Sequence, residues 1–192
     1  MNGNKLIQFG IDKVYIAVLT KDDATGATYD STIGLVRLEG VTDLKIKSQS
    51  KAYNLDGDNG TVDVRSITSG FDVECDYGIL TLDQLHMLKA GTIVEKTDGT
   101  GNVISRKYVT KGSDQAQYFG LIGVVESSNT KIILTKVKAT DVEIPNSNLS
   151  YAIVKLTASA VKRDFDGVMH MIQEDATLTP ASLADFDSTY GA

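Results

Sequence analysis

The sequence predicts a mainly β fold, a β-sandwich or rolled β-barrel, with one flanking α-helix (about 81–90) and one long projecting β-hairpin (about 43–76). Three observations lead there. Short runs rich in Val, Ile, Tyr and Phe recur along the chain, as β-strands require. Turn sequences built from Gly, Asp, Asn and Ser separate them at short spacing. Only one stretch has convincing helical character. With 192 residues, 42% of them hydrophobic, the chain can bury one sizeable core. A single domain over 1–192 is therefore expected, with an N-terminal arm at 1–10 and a C-terminal tail at 176–192 where the strand pattern is lost.

Taken in order, residues 13–20 (KVYIAVLT) read as a buried strand, and the polar stretch 21–32 as a loop or surface hairpin. Residues 33–39 (IGLVRLE) are strand again, closed by Gly40. The long hairpin follows as DLKIKSQSKAYNL, the acidic turn DGDNG, and TVDVRSITSGFDVECD. Its root is apolar on one face, through Leu44, Ile46, Phe71, Val73 and Cys75. Its upper half, with Ser48 to Lys51 expected opposite Asp63 to Ser66, is largely polar on both faces. Such a ribbon cannot lie inside a core, so it projects into solvent or is covered by another molecule.

The helix runs from Leu82 to Ala90. Thr81 is placed to cap it, with Gln84 completing a capping box and Leu80 stapling onto Leu85. Leu82, Leu85 and either Met87 or Leu88 give the buried stripe, and Gly91 suits a left-handed C-terminal cap. At about two and a half turns the helix is too short to stand alone and must dock on a sheet. Beyond it, 92–96 and 103–109 flank the turn DGTGN, and 118–126 and 130–138 flank SSN. Gly120 and Gly123 inside the first strand of that second pair mark a bulge or the close approach of another backbone. Residues 151–162 alternate, DFDG (164–167) turns the chain, and 168–174 form the last strand.

Composition excludes several functions. A net charge of −6 and pI near 4.9 argue against a surface that binds nucleic acid, which needs a basic stripe. One cysteine, Cys75, rules out an internal disulfide framework and fits folding inside a cell. No apolar run approaches the roughly 20 residues of a membrane span, and no signal peptide is visible at the N-terminus. The two histidines, His86 and His170, have no Cys or acidic residue at metal-ligand spacing, so neither metal nor cofactor is expected. Cys75 lies on the apolar face of its strand and reads as an inert buried thiol. The turn at 54–60 fails as a calcium loop. Counted from Asn54, the sixth position is Asn59 and the twelfth Arg65; counted from Asp56, the twelfth is Ile67. DGTGN lacks the Lys-Ser/Thr of a phosphate loop, and no G-x-S-x-G nucleophile motif occurs. An enzyme is therefore not expected. Asp72, Glu74 and Asp76 alternate with Phe71, Val73 and Cys75, so three carboxylates share one face. They form either an ordinary solvated face or a wall made negative.

The order of these pieces resembles the major tail (tail-tube) proteins of long-tailed bacteriophages. The pieces are GIDKVYIAVLT, IGLVRLEGVTDLKIKSQS with its Gly-Val pair, DGDNG, SGFDVECD, LTLDQLHMLKAG and the run of hairpins, over roughly 10–175. The resemblance implies a structural virion protein whose hexameric rings stack into a tube through which the genome is delivered. It implies partners in further copies of the chain and in tape-measure and tail-terminator or baseplate proteins. DNA would pass without specific binding, and no membrane is involved. The place would be the virion tail, assembled in the host cytoplasm. On this reading the inter-subunit arm comprises Lys47, Ser48, Gln49, Ser50, Lys51, Tyr53, Asp56, Asp58, Asn59, Asp63 and Arg65, and Asp72, Glu74 and Asp76 face the lumen. The competing reading is a monomeric β-sandwich binding or adhesion module; the absence of Trp counts against a sugar-binding version.

Overall fold

The most apolar run of the chain becomes the centre of its sheet. In the computed structural model, which describes residues 10–57, 60–144 and 153–188, Phe119 to Val125 are all buried. A strand buried on both faces needs a neighbour on each edge and cover above and below. The elements are β1 (Lys13–Asp23), β2 (Gly26–Tyr29), β3 (Val36–Leu38), β4 (Asp43–Gly57), β5 (Gly60–Tyr77), α1 (Leu82–Lys89), β6 (Thr92–Thr97), β7 (Val103–Val109), β8 (Tyr118–Val125), β9 (Thr130–Glu143), β10 (Val154–Ala160) and β11 (His170–Glu174). Nine strands form one antiparallel sheet in the order β2-β1-β8-β9-β10-β5-β4, with β3 also on β1 and β11 also on β9. β6 and β7 form a separate ribbon. The mainly β architecture with one helix is as the sequence predicts.

The sheet curls around one main core. Val14, Ile16, Leu38, Val73, Cys75, Tyr77, Phe119, Leu121, Leu134 and Leu156 share it, and Met87 and Leu88 of α1 close it. The helix begins as expected: the Thr81 hydroxyl accepts from the Gln84 N–H at 3.1 Å, and the Gln84 amide oxygen accepts from the Thr81 N–H at 2.9 Å. Gln84 is itself buried, its amide donating to the Arg37 carbonyl at 2.9 Å, which ties the helix start to β3.

The C-terminal cap differs from expectation. Ala90, not Gly91, takes the left-handed conformation, at φ 56°. Gly91 serves a different need: a Cβ there would lie 2.3 Å from the Tyr108 ring, and the Gly91 N–H donates to the Tyr108 hydroxyl at 2.9 Å. Residues 21–32 resolve into the β1–β2 hairpin, and the strand expected over 33–39 shortens to Val36–Leu38. Gly120 and Gly123 mark close approaches, by side chains rather than backbone. A Cβ on Gly120 would meet Phe186 at 2.3 Å, one on Gly123 would meet Ile11 at 2.7 Å, and the ladder is irregular between Phe119 and Leu121.

Phe186 exposes the larger correction. The segment expected as a tail from 176 covers the outer face of β1, β8 and β9. Phe186 is 1% exposed, clusters with Ala17, Ile122, Val124 and Ile133, and stacks on Tyr29 with ring centroids 4.1 Å apart. Lys131, fully buried, reaches Asp185 and Thr179 at 2.9 Å each and Asp175 at 3.7 Å. Arg163 pairs with Asp166 and donates to the Phe186 carbonyl at 2.8 Å. The segment had no strand or helix period to read because a short 3₁₀ turn at Leu183–Phe186 and side-chain anchors hold it. Residues 189–192, and the N-terminal arm except Gly10, lie outside the described residues.

Candidate assembly surface

The hairpin has two parts with different surroundings. β10 pairs with β5 only from Phe71 to Tyr77. Gly70 sits where that pairing stops, and a Cβ there would lie 2.7 Å from the Ala160 carbonyl oxygen. Above that level β5 pairs only with β4. The base is domain: Val73 and Cys75 are buried, and Leu44, Ile46 and Phe71 pack against the core. The upper part is a two-stranded ribbon with no third strand among the described residues.

Register decides what the ribbon presents. Residues Ser48 and Lys51 pair with Phe71 and Ile67, and Asp63 to Ser66 pair with Leu55 to Ala52, not with Ser48 to Lys51. Irregularities after Gln49 and after Leu55 shift the ladder in a way that alternation along one strand does not disclose. Paired residues share a face. One face therefore carries Lys51 beside Ile67 and Tyr53 beside Arg65; the other carries Ser50, Thr68, Ala52, Ser66, Asn54 and Val64. Tyr53, Val64 and Ile67 are 56%, 58% and 59% exposed. The ribbon is thus less polar than the sequence reading held: Val64 and Ile67 were missing from the expected arm residues, and alternation with charged neighbours would have found them. Arg65 reaches Asp63 only at 3.6 Å, with both side chains largely exposed, a geometry worth little in water. Lys47, Ser48 and Gln49, counted to the arm, lie at its root opposite Asp72, Phe71 and Gly70. Asp56 is described in backbone alone, pairing with Thr61; Asp58 and Asn59 lie outside the described residues.

Asp72, Glu74 and Asp76 point to the outer face of β5, the first two exposed and the third half-buried. Their cross-strand neighbours are Lys47, Lys45 and Asp43 on β4 and Ser159, Thr157 and Lys155 on β10. Lysines are thus interleaved with the carboxylates, and Lys45 also binds Asp43 at 2.8 Å. A second projecting element lies beside the helix. The β6–β7 ribbon exposes Val94, Val103 and Ile104, and is anchored by Arg106 donating to Asp83 at 2.6 and 3.0 Å and to Glu95 at 3.0 Å. The sequence showed this hairpin but not that it stands clear of the sheet.

The reactive groups have structural surroundings. Burial pushes the Cys75 thiol up to about 12, so it stays protonated at neutral pH. Burial lowers the His170 pKa, and its ring lies 5.1 Å from that of Phe71. His86 Nδ1 contacts the Gly91 carbonyl at the helix end. No three His, Cys, Asp or Glu side chains among the described residues are placed to hold a metal ion, and no described helix is long and apolar enough to cross a membrane.

Solved structures offer a comparison at low similarity. The chain is similar to a chain of the anti-feeding prophage cap, a tube-terminating cap, with TM-score 0.39 and 8% identity over 90% of this chain and 96% of that one. It is similar to an extracellular contractile injection system, the PVC sheath–tube complex in the extended state, with TM-score 0.39 and 8% identity over 88% and 95%. A crystal structure of an Hcp protein matches with TM-score 0.32 and 7% identity over 85% and 99%. No protein-family model matches the chain, and no curated protein matches it by sequence.

Proposed function

We propose that this chain is a structural subunit that assembles with copies of itself into stacked hexameric rings, forming a phage tail tube that conducts the genome to the host. The observation that carries this reading is the ribbon above Gly70. Among the described residues it has backbone pairing only within itself, yet it exposes Tyr53, Val64 and Ile67. Exposed apolar groups on a protruding strand pair favour contact with another protein surface. The edge of β4, which has no partner strand among the described residues, supports the same reading, since a closed ring removes such edges.

On this proposal the arm, now including Val64 and Ile67, contacts neighbouring copies, and Asp72, Glu74 and Asp76 face the lumen. Interleaved lysines leave that face with little net charge, which suits passage of DNA without specific binding. Tape-measure and terminator or baseplate proteins would meet the tube at its ends, and the assembled chain would reside in the virion tail. Electron microscopy of the purified protein at rising concentration tests the reading. Tubes or six-fold rings are the expected result; a concentration-independent monomer favours a binding module instead. In a tube reconstruction, Asp72, Glu74 and Asp76 on the outer wall would refute the lumen assignment.

A further inference from the structure

A groove runs between β4 and β11, two strands that each have a ladder partner on only one edge among the described residues. It is lined by Leu44, Ile46 and Ser48 of β4, Phe71 of β5, Ile132 of β9, His170 and Ile172 of β11, and Ile11; its volume is about 450 Å³. Ile172 is 52% exposed, an apolar side chain beside the other apolar groups of a trough that Ser48 and His170 also line. The groove continues past Ile11, Leu44 and Ile132 toward Asp43. Glu174 stands two residues beyond Ile172 on the same face of β11, exposed and with no ion pair among the described residues. A carboxylate thus stands on β11 just beyond the groove's Ile172 wall.

We infer that this groove is the socket for the hairpin arm of a second copy of the chain, taking the face that carries Tyr53, Ile67, Lys51 and Arg65. This rests on the assembly reading above and names the surface that receives the arm. The chemistry is complementary: this arm face brings the exposed Tyr53 and Ile67 with Lys51 and with Arg65, which is only loosely held by Asp63, and the groove offers its apolar walls with the Glu174 carboxylate beyond Ile172. The arm cannot fill its own groove. Its root, Leu44 to Ser48 with Phe71, is a wall of that groove, and the paired ribbon carries Tyr53 away from Ser48 by about 17 Å at about 3.3 Å per residue. Bringing Tyr53 back would break the β4–β5 ladder. A contact between two different patches, each present on every copy, is heterologous and propagates into a ring or a stack.

Cross-linking tests it. Tyr53→Cys and Ile172→Cys chains are mixed under assembly conditions and oxidised, with Cys75 buried and silent. The inference expects a disulfide between positions 53 and 172, mapped by mass spectrometry and formed only between chains. Tubes seen by microscopy without that disulfide overturn the socket and leave the assembly reading standing; a chain that forms neither tubes nor rings at any concentration overturns both. An Ile172→Cys thiol already shielded from maleimide in the unassembled chain also overturns it, because the chain then fills its own groove. Glu174→Arg should reduce assembly at least tenfold, and adding Arg65→Glu in the same chain should restore it. Failure of that restoration removes the proposed charge contact.

Discussion

The hairpin arm and the C-terminal segment both lie outside the main core, and both look peripheral in the sequence. Their surroundings are opposite. The segment 175–188 is fastened to its own sheet by a buried aromatic ring, a fully buried lysine and a nearly buried arginine. Among the described residues, the ribbon above Gly70 has ladder partners only within itself. A short irregular segment can thus be part of the fold while a long regular one is not. What separates them is whether each finds its apolar and charged partners within the chain.

That difference can be broken first at Phe186. Phe186→Ala should cost about 3–5 kcal/mol, the range for emptying a buried aromatic site, read as a fall in the denaturant midpoint. Lys131→Met should cost a similar amount, about 3–5 kcal/mol, because Asp185 and Asp175 lose the charge they are buried against. Gly120→Ala tests the same segment from the sheet side. The new methyl group would collide with the Phe186 ring, and overpacking of this kind costs about 1–3 kcal/mol.

Acid should loosen the segment. Burial works against ionisation of Asp166, but Arg163, the Ser188 hydroxyl and the Val168 N–H outweigh it and hold the carboxyl at about 2, below the ordinary 3.8. A depressed carboxyl stabilises the fold above its unfolded pKa, and that contribution is lost as pH falls from 3.8 toward about 2. Hydrogen exchange should show faster opening near residues 163–188 across that window, and Asp166→Asn should flatten the pH dependence there. The smallest effect belongs to the arm. Tyr53→Ala or Ile67→Ala should change the stability of the unassembled chain by no more than about 0.5 kcal/mol, measured by chemical denaturation at low concentration.

Much of the fold was legible because its signals are local. The capping box of Thr81 and Gln84, the strand alternation through Phe71, Val73 and Cys75, and the turn residues between hairpins each act within a few positions. The C-terminal segment was not legible, since its anchors join residues far apart: Gly120 with Phe186, Lys131 with Asp185. An unexplained glycine in the most apolar strand was the one hint that something else occupies that space. The arm was visible as a ribbon, but its register was not, because the two irregularities in the ladder shift the pairing without changing the pattern along either strand. Whether the acidic triad stood alone was undecidable for the same reason; the positions of Lys45, Lys47 and Lys155 depend on pairing.

The central claim is that the arm's partner is another copy of the chain. The most direct measurement compares the wild-type protein with one in which residues 50–69 are replaced by an Asn-Gly turn joining Gln49 to Gly70, by sedimentation and electron microscopy over a common concentration range. These two residues are already paired, so the shortened chain keeps its base ladder. The account predicts tubes or rings for the wild type, and for the shortened chain a folded monomer with an unchanged melting midpoint. Wild-type tubes formed equally well by the shortened chain would contradict it.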